Sequence, residues 1–284
     1  MSLKMTIIIV VYNKEIQASI ACCSLLEMGL SNLDILIVDN SDIKTNNEDY
    51  CCKNKIRYLN MGGNAGLSKA YNRAIDASMS SDIYVFMDDD TEITPQYFSA
   101  LAIALKQNPE TDIFAPIVFG QDGVIYSPNE FRFLKNRFKS CIEDKVQTEK
   151  FNAIASCLAV RARVFSAYRF DESLFVDQVD QYFFCQQRKL KIRCMELEVV
   201  IQQNFYQRGE TLSAQAGWSR LKLRIVDVMH HAKLMGHPKY LFLGYIKCCG
   251  LGVQIGRKSH SLGIVFKAVG LGTQRFWMEC VGGI

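Results

Sequence analysis

The stretch YVFMDDDTEI (Tyr84–Ile93) places three consecutive carboxylates, Asp88, Asp89 and Asp90, directly behind an apolar run with strand character. Like charges this close repel one another, and each resists burial. Such a cluster belongs at the end of a strand, facing a crevice rather than a core. Upstream, MTIIIVVY (Met5–Tyr12) and LDILIVDN (Leu33–Asn40) read as buried strands, with KIRYLN (Lys55–Asn60) a shorter third. KEIQASIACCSLLEMG (Lys14–Gly29) has helical spacing and stops at a glycine, and SDIKTNNEDY (Ser41–Tyr50) reads as a polar loop. MGGNAGLSKAYNRAIDAS (Met61–Ser78) is a glycine loop opening into a helix. Downstream, Thr94 and Pro95 look like an N-cap and first helical residue before QYFSALAIALKQ, and TDIFAPIVFG (Thr111–Gly120) is a fifth strand. This alternation predicts a parallel sheet covered by helices, with ligands bound at the carboxyl ends of the strands. Asn13, Asp39 and the acidic cluster fall at those ends.

The middle region is less regular. FNAIASCLAVRARVF (Phe151–Phe165) predicts a strand running into a helix. FDESLFVDQVDQYFFCQQRKL (Phe170–Leu190) predicts a turn and a helix, and KIRCMELEVVIQ (Lys191–Gln202) another strand. After Gly217 come helical segments, two of them interrupted by glycines: YLFLGYIKCCGLGVQIG and SLGIVFKAVGLG. The expected division is 5–216 for the α/β domain and 217–284 for a helical tail.

The chain has 284 residues, 49% hydrophobic and 22% charged, with a net charge of +4. From Gly217 onward ten lysines and arginines face only Asp227 and Glu279, so the tail carries +8 and the rest −4. No apolar run reaches the roughly 18 residues of a membrane span. MSLKMTIIIVVYNKE breaks at Asn13, Lys14 and Glu15 and does not read as a signal peptide; its MSLK reads as an expression scar before a native start at Met5. The cysteines number eleven, an odd count without zinc-knuckle spacing, and read as reduced cytosolic thiols.

Three chemistries suit the acidic cluster: a divalent cation bridging a diphosphate, a D-x-D-x-T nucleophile, or a solvated turn. The second fails locally because Glu92 stands where Thr is wanted. The glycine loop fits neither a Rossmann nor a P-loop fingerprint. Asp177 and Asp180, spaced i and i+3, share a face if their segment is helical; burial would raise either towards a useful general base. All four histidines (His230, His231, His237 and His260) lie in the tail, so histidine catalysis is not expected from the body; HHAKLMGH is a weak metal-site lookalike.

Five segments in order, TIIIVVYNKE, LDILIVDNSD, NMGGNAGLSKAYNRAI, VFMDDDTEI and FDESLFVDQVDQYFF, resemble family 2 inverting glycosyltransferases of GT-A fold, in particular the bacterial rhamnosyltransferase-like branch. The resemblance covers Thr6 to Gln207, and the tail more loosely. It implies that Val11, Tyr12, Asn13 and Glu15 flank a nucleotide and that Asp39 binds a pyrimidine base. Asn64, Gly66, Lys69 and Asn72 would line the nucleotide-sugar pocket. Asp88 and Asp90 match the D-x-D signature beside Asp89, with Asp90 the stronger ligand for Mg²⁺ or Mn²⁺. Asp180 matches the catalytic base, with Asp177 the fallback if the register is off by a turn. Two positions depart from the pattern: Tyr182 replaces a second acid, and the histidine expected after the following strand is replaced by Gln203, Asn204 or Tyr206.

The implied function is inverting transfer of a sugar from a UDP- or dTDP-sugar to a glycan or lipid-linked acceptor, in bacterial surface polysaccharide synthesis. The implied station is cytoplasmic, with the basic tail either meeting an anionic membrane surface on its inner face or forming a homo-oligomer interface. No nucleic-acid motif appears. The rival readings are a sugar-1-phosphate nucleotidyltransferase, whose basic glycine loop VVYNKEIQ lacks, and a non-catalytic nucleotide-sugar-binding protein.

Overall fold

A computed structural model describes residues 3–29, 33–205 and 213–281. Strand β1 (Met5–Val11) lies at the centre, hydrogen-bonded in parallel to β2 (Asp34–Asp39) and to β4 (Ile83–Asp88). Its run of β-branched residues is explained by burial on both faces. Ile7 and Ile9 point into one core, shared with α1 (Ile20–Glu27) and α4 (Pro95–Gln107). Ile8 points into the other, shared with α3 (Leu67–Asp76) and α5 (Val179–Lys189). Fully burying each of these side chains is worth about 1.5–3 kcal/mol, which makes β1 the spine of the sheet.

Among the described residues the sheet runs β3-β2-β1-β4-β10-β6-β11-β5. Here β3 is Arg57–Asn60, β5 Thr91–Glu92, β6 Ile113–Gly120, β10 Leu158–Arg161 and β11 Cys194–Gln203. The chain steps outward from β1 to β2 and β3, then returns to place β4 on the other side of β1. That reversal opens a crevice at the carboxyl ends of β1 and β4. Register sets the neighbours there: Val11 faces Asp39 and Val10 faces Asp88.

Three segments differ from expectation. The polar loop after β2 contains a helix, α2 (Asn47–Asn54), with Glu48 and Asp49 in its first turn and Lys53 in its last, which complements the helix dipole. It buries little beyond Asn47 and Cys51, so it has no apolar period to read. The segment after residue 150 forms two short strands, β9 (Phe151–Asn152) and β10, followed by only a 3₁₀ turn at Ala162–Ser166. Strand β10 inserts antiparallel between β4 and β6, so the sheet is parallel around β1 and antiparallel around β10. Strands β7 (Ile125–Glu130) and β8 (Arg137–Lys139) extend it beside β6.

The third difference lies in the tail. Helices α6 (Ala214–Leu234), α7 (Pro238–Lys258) and α8 (Leu262–Val281) pack around Leu221, Ile225, Val228, Met229, Cys248, Ile264 and Ala268. The glycines that look like interruptions sit inside unbroken helices. A Cβ on Gly252 would lie 2.5 Å from the Cβ of Ala268, so this glycine is what lets α7 and α8 touch. None of the described helices is long and apolar enough to cross a membrane.

Candidate active site

The acidic turn is held from three sides. Asp88, the last residue of β4, accepts hydrogen bonds at Oδ2 from Ser156 Oγ (2.9 Å) and Gln203 Nε2 (3.1 Å). The same Gln203 nitrogen donates to Asp90 Oδ1 at 2.9 Å. Asp89 pairs with Lys14 at 2.7 Å, and its carbonyl accepts from Ser19 Oγ at the start of α1. Strand β5, inside the turn, pairs with the end of β11, which brings Gln203 to the cluster.

Burial raises the Asp88 carboxyl, against the hydrogen bonds from Ser156 and Gln203. Asp90 is pushed up to about 6, first by burial and then by the charge of Asp88, with Lys14 opposing. Among the described residues neither carboxylate has an ion-pair partner of its own, Lys14 being paired with Asp89. Gln203 is 3% exposed, and among the described residues its Oε1 has no hydrogen-bond partner. Two charge-starved carboxylates beside an orphaned amide oxygen suit a hard cation, which favours oxygen ligands. Among the described residues no three His, Cys, Asp or Glu side chains gather as a metal cluster. Of the sequence candidates for a third ligand, Gln203 meets the acids, whereas Tyr206 lies outside the described residues. HHAKLMGH does not converge: His230 bonds Ser173 and Glu279, His231 stacks on Phe133, and His237 caps α7.

Asp180 stands in the first turn of α5, and its Oδ2 accepts from the backbone amide of Ala155 at 3.2 Å. Burial and then the charge of Asp88 push its carboxyl up to about 7, where a carboxylate can accept a proton near neutral pH. Asp177 is different in kind. Burial would raise it, but Arg224 of α6, 2.6 Å away, together with Gln178, Lys247 and Arg220, outweighs that and holds it below the ordinary carboxylate value. Of the two i, i+3 acids, only Asp180 has the proton affinity of a base.

Asp39 terminates β2 and is 3% exposed. It accepts from Ser41 N (3.0 Å), Thr45 Oγ1 (2.8 Å), Asn47 Nδ2 (2.8 Å) and Tyr58 OH (3.1 Å). Burial would raise its carboxyl, yet the donors from Ser41, Asn47 and Thr45 together lower it, so it is a fixed anion. It borders a cleft of ≈ 250 Å³ lined also by Ile43, Lys44, Glu48 and Asn60.

Asn13 has a left-handed backbone (φ 50°) that turns the chain after β1, and its side chain accepts from Asp42 N at 2.9 Å. Tyr12 bonds Asp42, Glu15 accepts from Asn46 N, and Asn64 bonds both Asp42 and Asn40, so these residues knit the loops after β1, β2 and β3 into one rim. Gly66 has φ 92° at the start of α3, and a Cβ there would lie 2.8 Å from the Phe175 ring. Asn72 turns away from this rim, exchanging hydrogen bonds with the backbone of Phe170, while Lys69 is exposed on α3. The residues without a sequence signal are Ala155, Ser156, Arg224 and Asp227. They act through backbone contacts or distant pairings that leave no local pattern.

The crevice thus joins a fixed anion in a cleft, a pair of acids suited to a cation, and a carboxylate of high proton affinity. A relative in Shigella flexneri, "dTDP-rhamnosyl transferase RfbF", is 26% identical over 183 residues, 61% of this chain. The chain spans 59% of that relative's length. Among solved structures, S. aureus TarS 1-349 matches with a TM-score of 0.52 at 14% identity, covering 98% of this chain and 90% of TarS. GalNAc-T7 with UDP, GalNAc and Mn²⁺ matches with a TM-score of 0.56 at 13% identity, covering 78% of this chain and 47% of that one. The mannosyltransferase PcManGT from Pyrobaculum calidifontis, in complex with GDP-Man and Mn²⁺, gives 0.54 at 10%, covering 98% and 86%. The fold is that of GT-A glycosyltransferases. With the family model for glycosyl transferase family 2 matching residues 6–169, from β1 through the acidic turn to the segment before α5, the chain belongs to that family.

Proposed function

We propose that this protein transfers a sugar, with inversion, from a nucleotide-diphospho-sugar to an acceptor hydroxyl. The observation that carries the reading is the pairing of Asp180, held near a proton affinity of about 7, with the acidic turn that Gln203 bridges. The base of the donor enters the Asp39 cleft, where an incoming N–H displaces one of the present donors; the Tyr58 hydroxyl makes the longest of the four bonds. Asp90 and Asp88, with the Gln203 amide oxygen, would hold a divalent cation. When bound, that cation offsets the negative charge of the diphosphate leaving group. Asp180 takes the proton of the acceptor hydroxyl as its oxygen attacks the anomeric carbon from the opposite face. The bond from that carbon to the diphosphate oxygen breaks in the same displacement. Tyr182 is no second acid, and its ring packs against His231.

The resemblance to RfbF favours dTDP-rhamnose as the donor to try first. The acceptor side favours a lipid-linked glycan. Phe242, Ile246 and Val253 of α7 and Leu262, Phe266 and Trp277 of α8 are exposed, and Arg257, Lys258 and Lys267 are exposed among them. Exposed apolar rings rimmed by cations suit an anionic bilayer surface.

The deciding experiment is a thermal-shift panel of dTDP-, UDP- and GDP-sugars with Mn²⁺ or Mg²⁺, because a bound donor stabilises by mass action. One donor should raise the melting temperature in a cation-dependent way, and release of its nucleoside diphosphate should follow addition of acceptor. Binding with no transfer to any acceptor glycan would favour the sugar-nucleotide-binding alternative.

A further inference from the structure

The turn that delivers Asp180 is built largely by residues far along the chain. Asp227 of α6 is fully buried, and its carboxylate accepts three backbone amides: Phe175 N at Oδ1 (2.8 Å), and Val176 N (2.8 Å) and Asp177 N (2.7 Å) at Oδ2. One turn earlier on α6, Arg224 pairs with Asp177 at 2.6 Å. One turn later, His230 Nδ1 donates to the Ser173 carbonyl at 2.9 Å. From α7, Lys247 Nζ donates to Gln178 Oε1 at 3.1 Å and to the Phe133 carbonyl at 3.0 Å.

These contacts have a local reason. Gln178, the N-cap of α5, is left-handed (φ 63°) and makes no side-chain cap. A non-glycine residue there is unfavourable, and the amides before it have no helix or strand to satisfy them. A buried carboxylate taking three amides supplies what the local sequence lacks. The other face of the same turn holds the donor side: Leu67 N donates to the Phe175 carbonyl at 2.5 Å, and Gly66 packs against the Phe175 ring.

We infer that Asp227, with Arg224 and Lys247, is a positioning residue of the transferase site: the C-terminal helices clamp the Phe175–Gln178 turn so that Asp180 faces the acceptor while Phe175 seats the glycine loop of the donor pocket. Asp227 touches no reacting atom and acts through the turn. The inference deepens the transferase reading and rests on it for its catalytic consequence.

The test uses the full chain carrying Asp227→Asn, with Arg224→Gln and Lys247→Met as milder variants should the first fail to fold. Two readouts separate the clamp from its catalytic use. Hydrogen exchange over 173–178 should rise at least tenfold in Asp227→Asn, while α7 and α8 keep their protection. Turnover at saturating donor should fall at least tenfold while donor affinity falls by clearly less, a split that a general loss of fold would not produce. Unchanged exchange at 173–178 would overturn the clamp. Increased exchange with unchanged turnover would overturn its role in positioning Asp180. A wild-type chain that transfers from no nucleotide sugar would sink the transferase reading instead, with the exchange experiment still deciding whether Asp227 holds the turn.

Discussion

Asp88 and Asp180 are held by consecutive residues of a single loop: Ser156 donates its hydroxyl to Asp88, and the amide of Ala155 meets Asp180. The acid of the proposed cation site and the proposed base therefore share one support, and the charge of the first raises the second.

Asp180→Asn should lower turnover by about 10²-fold or more, with donor affinity nearly unchanged, as expected when a general base is lost. Asp177→Asn should act mainly on stability, because it strips Arg224 of its partner. Steady-state kinetics beside thermal melts of both variants check the assignment. A larger turnover loss in Asp177→Asn would reverse the two roles.

Removal of the cation should mimic Asp90→Asn. Donor affinity should drop with EDTA in the wild type and show no EDTA response in the variant. Gln203→His, which supplies a nitrogen ligand on the same strand end, should retain cation-dependent binding, whereas Gln203→Leu should weaken it. Calorimetric titration of the donor with and without Mn²⁺ reads all three.

Stability of the cation-free protein should fall as pH rises through neutrality. The folded protein binds the Asp180 proton more tightly than the unfolded chain does, so its contribution is fully present below the ordinary value of 3.8 and is lost as pH passes about 7. At about 1.4 kcal/mol per tenfold change in proton affinity, that contribution is capped at about 4 kcal/mol. Asp180→Asn should raise the melting temperature at pH 8 relative to wild type and do so far less at pH 5. A melting temperature that is flat between those limits would contradict the raised proton affinity.

Gly66→Ala should destabilise the fold by roughly 1–3 kcal/mol and weaken donor binding with it. The added methyl group meets the Phe175 ring at 2.8 Å while the backbone stays at φ 92°. Denaturant melts and donor titration of the variant check both effects.

The exposed rings of α7 and α8 give a membrane expectation. Vesicles containing anionic lipid should sediment the protein, less so at high salt, and Phe266→Ser with Trp277→Ser should leave it in the supernatant without loss of melting temperature. Equal recovery with and without anionic vesicles would point to contact between copies of the chain instead.

Much of this was legible because strands buried on both faces must be apolar throughout. MTIIIVVY and DIYVFM could hardly be anything else, and acids directly behind such runs had to face solvent or a ligand. Helix α2 was illegible because it buries almost nothing apolar. The antiparallel β10 was illegible because four residues, LAVR, carry no direction. The glycines of α7 were misread because a residue that breaks an isolated helix also allows two packed helices to meet. The grip of Asp227 on Phe175, Val176 and Asp177 falls on backbone atoms, which have no letter in a sequence.

That grip also imposes an order of assembly. The Asp39 cleft is complete by Asn60, and the acidic turn needs nothing beyond Gln203, but the turn before Asp180 waits for Asp227 and Lys247. During synthesis from the N-terminus, the Asp39 cleft and the acidic turn emerge before the proposed proton acceptor is locked in place. A ribosome-bound chain stalled ahead of α6 should therefore present both without catalysing transfer. On the proposed reading, helices α6 and α7 thus serve as an arming step: the site should become competent to react only after both have emerged.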